Sequence, residues 1–185
     1  LGLCSEQESK VQFTMADRRI NAVVSTSVGR LFDAVSAILG IRRQSSFEGE
    51  ASMALEFAAE AYEQKKYEQQ KYEQQKYKQG NCEQRECEQQ KKEYELQDIE
   101  VVENLSGNEE LDKLVYKNEE RFILNTRMLI QQIVEEKMQG ADSGRLAYFF
   151  HQVLAEQIAA TCIEARNNSS RNKVALSGGV FQNRL

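Results

Sequence analysis

Ser177-Gly178-Gly179, preceded by the apolar triplet Val174-Ala175-Leu176 and followed by Val180 to Leu185, has the residue types and spacing to hold an anion. Two adjacent glycines let the backbone come close to a ligand, and the free N–H groups at a helix start carry partial positive charge. The pattern predicts a short buried strand, a glycine turn and the first turns of a helix. The same turn also serves simply to pack a strand against a helix, and spacing alone leaves both uses open. Gly49, within Phe47-Glu48-Gly49-Glu50, is a second such position. It stands at the mouth of a predicted helix, where an exposed N–H could meet a ligand or merely begin the helix.

Other chemistry-bearing residues are sparse. His151 is the single histidine, so the usual nitrogen set of a metal centre is missing, and a hydrogen-bonded structural role suits it better. Cys82 and Cys87 superficially resemble half a zinc site, but no second pair follows at a suitable distance. Cys162 shares an apolar helix face and has nothing near it in sequence to lower its pKa. With Cys4 these cysteines form no framework, which suits free thiols in a reducing, cytoplasmic setting. Asp33 lies beside an apolar stripe and calls for solvent or a partner, for which Arg30 is in reach.

The elements that must position these residues are mostly helices. Val28, Leu31, Phe32, Val35, Ile38 and Leu39 fall on one helical face, with Thr26 and Ser27 as caps and Gly40 as terminator. A second helix, from about Ala51, carries alanines at 51, 54, 58, 59 and 61 and can pack closely. Thr126 caps a third, with Leu129, Ile130, Ile133 and Val134 on one side and Gly140 at its end. Asp142 or Ser143 caps a fourth and longer one, whose broad apolar side includes Leu146, Phe149, Phe150, Val153, Leu154 and Ile158. Its end is expected at Asn167 to Arg171. Residues 1–24 are polar, with a β-like piece around Val11 to Thr14.

Between the second and third helices the chain changes character. Tyr62, Tyr67, Tyr72, Tyr77, Cys82 and Cys87 recur with a strict period of five in a background of Glu, Gln and Lys. Five residues turn an α-helix by about 500°, which displaces each Tyr by roughly 140° from the last, so no apolar stripe forms. The tract suits a solvated helix or disorder, and Cys82 and Cys87 occupy its tyrosine phase. The chain therefore divides into 1–61, a low-complexity insertion over 62–118, and 119–185 as the second part of the same domain.

With 185 residues there is length for one domain with a core, although the hydrophobic fraction of 41% is low and the mean hydropathy is −0.63. The net charge of −5 gives no support for a nucleic-acid surface. No apolar run approaches the roughly eighteen residues of a membrane span. The opening Leu1-Gly2-Leu3-Cys4 has no basic region ahead of a long apolar one, so a signal peptide is not expected and the start reads as an internal cut.

Four pieces in this order, Thr26 to Gly40, Phe47-Glu-Gly-Glu-Ala51, Phe150-His151 and Leu176-Ser-Gly-Gly-Val-Phe-Gln-Asn-Arg-Leu185, resemble the C-terminal part of the HypF carbamoyltransferases. The resemblance covers about residues 20–61 and 121–185. It implies an α/β fold, a helix-rich part of an actin/Hsp70/sugar-kinase-like (RNase H-like) domain with a polar helical or disordered insertion. It implies transfer of a carbamoyl group, made from carbamoyl phosphate and ATP as carbamoyl-adenylate, to the C-terminal cysteine of a HypE-like acceptor, for cyanide-ligand synthesis in [NiFe]-hydrogenase maturation. The family's nucleotide-contacting positions carry over to Gly49, Ser177, Gly178, Gly179 and Asn183. No catalytic residue carries over.

The departures from the family are equally specific. The resemblance implies a divalent metal, zinc or iron, held by an upstream histidine pair and a downstream aspartate, and this chain has neither the pair nor the following glycine-rich loop. The expectation is that the polypeptide alone catalyses nothing. The sister family that transfers threonylcarbamoyl to tRNA shares the Ser-Gly-Gly-Val motif, but its Pro-Gly-Gly-Pro turn is replaced here by Phe47-Glu-Gly-Glu50. A non-enzymatic interaction protein with a long Glu/Gln/Lys arm is the reading from a different class. No membrane or nucleic-acid partner is expected.

Overall fold

The apolar stripes of the sequence converge on one helical core in the computed structural model, which describes residues 2–78, 115–118, 121–169 and 172–185. Helix α1 spans Glu6–Asp17, α2 Val28–Ile38 and α3 Glu50–Lys78. A hairpin of β1 (Val115–Asn118) and β2 (Arg121–Leu124) precedes α4 (Thr126–Met138) and α5 (Ser143–Ser169), and a 3-10 turn at Gly179–Gln182 follows. The strands are antiparallel, with Val115 opposite Leu124 and Asn118 opposite Arg121.

Helices α2, α3, α4 and α5 each give one stripe to the core: Phe32, Val35 and Leu39; Leu55 and Ala59; Leu129 and Ile133; and Leu146, Ala147, Phe149, Phe150, Val153 and Leu154. Each fully buried Leu, Val or Phe of this set contributes about 1.5–3 kcal/mol of transfer free energy, so the four stripes specify how the helices pack. Phe32 meets Phe150 edge-on at 4.9 Å between ring centroids. Helices α3 and α5 approach tightly at Gly144, where a Cβ would lie 3.1 Å from the Ala58 carbonyl oxygen and 3.3 Å from Tyr62 Cβ. Ser143 Oγ donates to the Leu39 carbonyl at 2.9 Å and accepts from Lys137 Nζ at 2.6 Å, tying the end of α2 to the junction of α4 and α5. An Arg145–Glu136 ion pair braces the same junction.

Local chemistry explains the helix ends. Asp142 Oδ2 accepts from the backbone N–H of Arg145 at 2.9 Å and caps α5 as expected. Gly40 and Gly140 take φ of +73° and +92°, the left-handed conformation that closes a helix without a Cβ clash. The cap of α4 is Asn125, with Thr126 its first residue, which corrects the assignment of Thr126 as cap.

Other expectations are also corrected. Val11 to Thr14 is helical, because Ser5 and Glu8 form a reciprocal capping box that starts α1. Val174 to Leu176 forms no strand and has no regular secondary structure. In place of a helix over Val180 to Leu185 there is one 3-10 turn. In the pentad tract the solvated-helix alternative describes the first repeats, since α3 runs on to Lys78; β1 begins at Val115. Cys82 and Cys87 lie outside the described residues.

Candidate functional site

The glycine motif hangs beside the helical core as a short loop. Gly178 has φ +110° and ψ 159°, a conformation that residues with a Cβ essentially do not adopt. Phe181 N–H donates to the Gly178 carbonyl at 3.2 Å and Asn183 N–H to the Val180 carbonyl at 3.2 Å, which winds the single 3-10 turn. Asn183 Oδ1 accepts from Leu185 N–H at 3.0 Å. Val180 and Leu185 pack against the core and seat the loop. Among the described residues, the backbone N–H groups of Ser177, Gly178 and Gly179 make no hydrogen bond.

The surroundings of the glycines differ. A Cβ built at Gly49, Gly178 or Gly179 would meet nothing within 4 Å, unlike one at Gly144. Gly49 and Gly178 have a backbone reason to be glycine, since their φ values are +83° and +110°. Gly179 has neither a positive φ nor a crowded neighbour among the described residues.

Gly49 is held by residues that the sequence reading did not single out. The Glu50 carboxylate accepts from the backbone N–H and hydroxyl of Ser46 and pairs with Arg42. The Ser46 N–H above all, helped by its hydroxyl and the Arg42 guanidinium, holds the Glu50 carboxyl below the ordinary range. Met53 N–H donates to the Gly49 carbonyl at 2.9 Å and begins the ladder of α3. Seven residues along, Glu56 Oε1 accepts from the backbone N–H of Arg184 at 3.0 Å. Glu50 stands four residues after Ser46, one off the spacing of a capping box, and Glu56 meets a main-chain donor 128 residues away. Neither leaves a recognisable sequence signal.

His151 is a core residue, as its solitary place in the sequence suggested. Its Nδ1 lies 2.7 Å from the Ala147 carbonyl oxygen, and its ring packs edge-on to Phe32 and Phe150. Burial pushes its pKa down, against the smaller opposing effects of the Ala147 carbonyl and the Glu56 carboxylate. Asp33 pairs with Arg30 at 3.3 Å and accepts from Ser52 Oγ at 3.0 Å. Cys4 and Cys162 are free thiols. No group of three or more His, Cys, Asp or Glu among the described residues could hold a metal ion. The described side chains thus offer no site for the metal that the resemblance implies.

Comparison with known proteins identifies the family. The chain matches the family described as "Carbamoyltransferase, Kae1-like Domain, second subdomain" over residues 3–100 and 86–185. It belongs to that family. It is 23% identical over 181 residues to the probable carbamoyltransferase HypF of Methanocaldococcus jannaschii, covering 98% of this chain and 18% of that protein. It is 25% identical over 180 residues to a carbamoyltransferase HypF homolog of Cupriavidus necator, covering 96% of this chain and 35% of the relative. A 46-residue stretch, 24% of the chain and 6% of the relative, is 56% identical to carbamoyltransferase HypF of Rhodobacter capsulatus.

The crystal structure of full-length HypF in its phosphate- and nucleotide-bound form superposes with a TM-score of 0.62 at 24% identity, covering 97% of this chain and 18% of that one. The helix-rich architecture is thus that of the Kae1-like carbamoyltransferase domain, the fold the motif order implied. The chain spans about a fifth to a third of the length of these two longer-matching relatives. No helix among the described residues is long and apolar enough to cross a membrane.

Proposed function

We propose that this carbamoyltransferase-family chain supplies nucleotide-facing turns to an enzyme that uses carbamoyl phosphate and ATP. The carbamoyl group passes through carbamoyl-adenylate to the C-terminal cysteine of a HypE-like acceptor, as the first step toward cyanide ligands in [NiFe]-hydrogenase maturation. The observation that carries the reading is Gly179. Nothing described in the chain requires a glycine there, and the space beside it is open. A phosphate brought against the backbone would require one.

In this reading the N–H groups of Ser177, Gly178 and Gly179 donate to phosphate oxygens, and Gly49 lets a nucleotide approach the mouth of α3. The Asn183 amide supplies a donor through Nδ2 while its Oδ1 stays on Leu185 N–H. These groups bind and orient. None of them is a nucleophile or base, so the chain alone is expected to transfer no carbamoyl group.

Isothermal titration of the 185-residue chain with ATP tests this directly. The parent chain binds, and Gly179→Val, which places a branched side chain where the phosphate would sit, weakens binding by at least about tenfold at an unchanged Tm. Equal affinity in the two proteins sinks the reading. The acceptor is tested separately, by the mass gain of one carbamoyl group on a HypE-like protein incubated with carbamoyl phosphate, ATP and a whole carbamoyltransferase into which Gly179→Val has been built.

A further inference from the structure

We infer that Glu56 is a positioning residue that fixes the distance between the two glycine turns, a role that rests on the nucleotide reading above. Its Oε1 accepts the Arg184 backbone N–H at 3.0 Å. Among the described residues this is the sole hydrogen bond between segment 172–185 and the helices. Val180 and Leu185 also pack on the core, with the 3-10 turn against α2; the Glu56 bond is the polar tie that joins the segment to α3 itself.

The place of Glu56 on α3 gives the bond its consequence. It follows Gly49 by seven residues, a rotation of about 700°, so it lies on nearly the same side of the helix and about 10.5 Å farther along. One rigid helix therefore carries Gly49 at its mouth and, two turns later, the acceptor for the residue after Asn183. A nucleotide held from Gly49 on one side and from Ser177 to Asn183 on the other needs that span preset. Charge strengthens the tie, since a hydrogen bond to a carboxylate is stronger than one to a neutral oxygen. Behind it, α5 presents His151, whose Nε2 is buried without a partner and whose ring feels the Glu56 charge.

The test uses the 185-residue chain with Glu56→Ala and Glu56→Gln, and two readouts. Amide hydrogen exchange at Arg184 reports the bond itself, whether or not a nucleotide binds. In Glu56→Ala the Arg184 amide exchanges at least about fivefold faster and ATP binds about five- to tenfold more weakly. Glu56→Gln keeps an acceptor oxygen without the charge, and both readouts return to within about threefold of the parent.

Unchanged Arg184 exchange in Glu56→Ala removes the latch. Faster exchange with parental ATP affinity removes the positioning role and leaves the nucleotide reading standing. Glu56→Gln behaving like Glu56→Ala would mean that charge rather than the hydrogen bond matters, and would overturn the inference. A parent chain that binds no ATP brings down the nucleotide reading and the positioning role together, with the Arg184 exchange still showing whether the bond exists.

Discussion

Two glycines at equivalent helical depth have opposite reasons to exist. Gly144, in the first turn of α5, faces the Ala58 carbonyl oxygen and Tyr62 Cβ across α3, atoms that cannot swing aside. Gly29, in the first turn of α2, would place a Cβ with only Ser27 Oγ nearby, at an ordinary 3.7 Å. Alanine gains up to about 1 kcal/mol of helix propensity over glycine, whereas overpacking costs about 1–3 kcal/mol. Gly144→Ala is therefore expected to lower Tm and Gly29→Ala to raise it slightly, in parallel thermal melts. A Gly144→Ala protein as stable as the parent would show that α3 and α5 do not approach as closely as described.

His151 gives a pH signature at the same scale. Its folded pKa is depressed chiefly by burial, so the fold keeps it neutral while the unfolded chain takes up a proton below about pH 6.5. The unfolded state then binds more protons, and stability falls as pH drops through that value. His151→Met fills the site without titrating. The fall in Tm between about pH 7.5 and about pH 5.5 should be smaller in this variant than in the parent, because one proton-linked contribution is gone. An identical fall in both proteins would mean that His151 protonates equally well in the fold.

At the scale of elements, what was legible followed from burial. Helices α2, α4 and α5 announced themselves because their apolar residues recur at helical spacing toward one core. Helix α1 buries no residue and carries no stripe, so Val11 to Thr14 looked like a strand, although Ser5 and Glu8 held the starting signal. Val174 to Leu176 has strand composition, but a strand exists only through its partner, and none lies among the described residues. The β1–β2 hairpin follows so closely on the polar tract that its short runs gave no separate signal.

Helix α3 joins both kinds of sequence in one element. Its first three turns bury Ala51, Leu55 and Ala59, and Tyr62 still rests against Tyr148 at 5.8 Å. Beyond that the period of five carries Tyr67 and Tyr72 round the helix into solvent, 67% and 68% exposed. Substitutions along this one helix should therefore divide sharply. Leu55→Ala is expected to cost about 2–5 kcal/mol, and Tyr72→Ala to fall within about 0.5 kcal/mol of the parent, in urea unfolding followed by circular dichroism. A large loss at Tyr72 would reveal a partner surface on the arm.

For the whole molecule, the order of four motifs made the family readable, while the way the two glycine turns are joined was not. Family membership resides in residue identity, but the joint is a side chain meeting a main-chain N–H, which any residue at 184 except proline would offer. The same blindness applies to what the core leaves uncovered. Val23 and Val24 are 92% and 93% exposed, and Val174 and Leu176 are 61% and 57% exposed, all outside any helix or sheet of the described residues. Apolar side chains left uncovered in this way mark surfaces for association with another chain.

The 185-residue chain is accordingly expected to self-associate as its concentration rises in sedimentation velocity, and Val24→Lys with Leu176→Lys to restore a monomer without changing Tm. The choice of lysine makes the outcome decisive. It moves the net charge of −5 two units toward zero, a change that by itself favours association. A loss of association in the double variant can therefore come only from the two altered apolar positions. Association that persists unchanged would place the contact elsewhere on the molecule, with the exposed arm of α3 the next surface to alter.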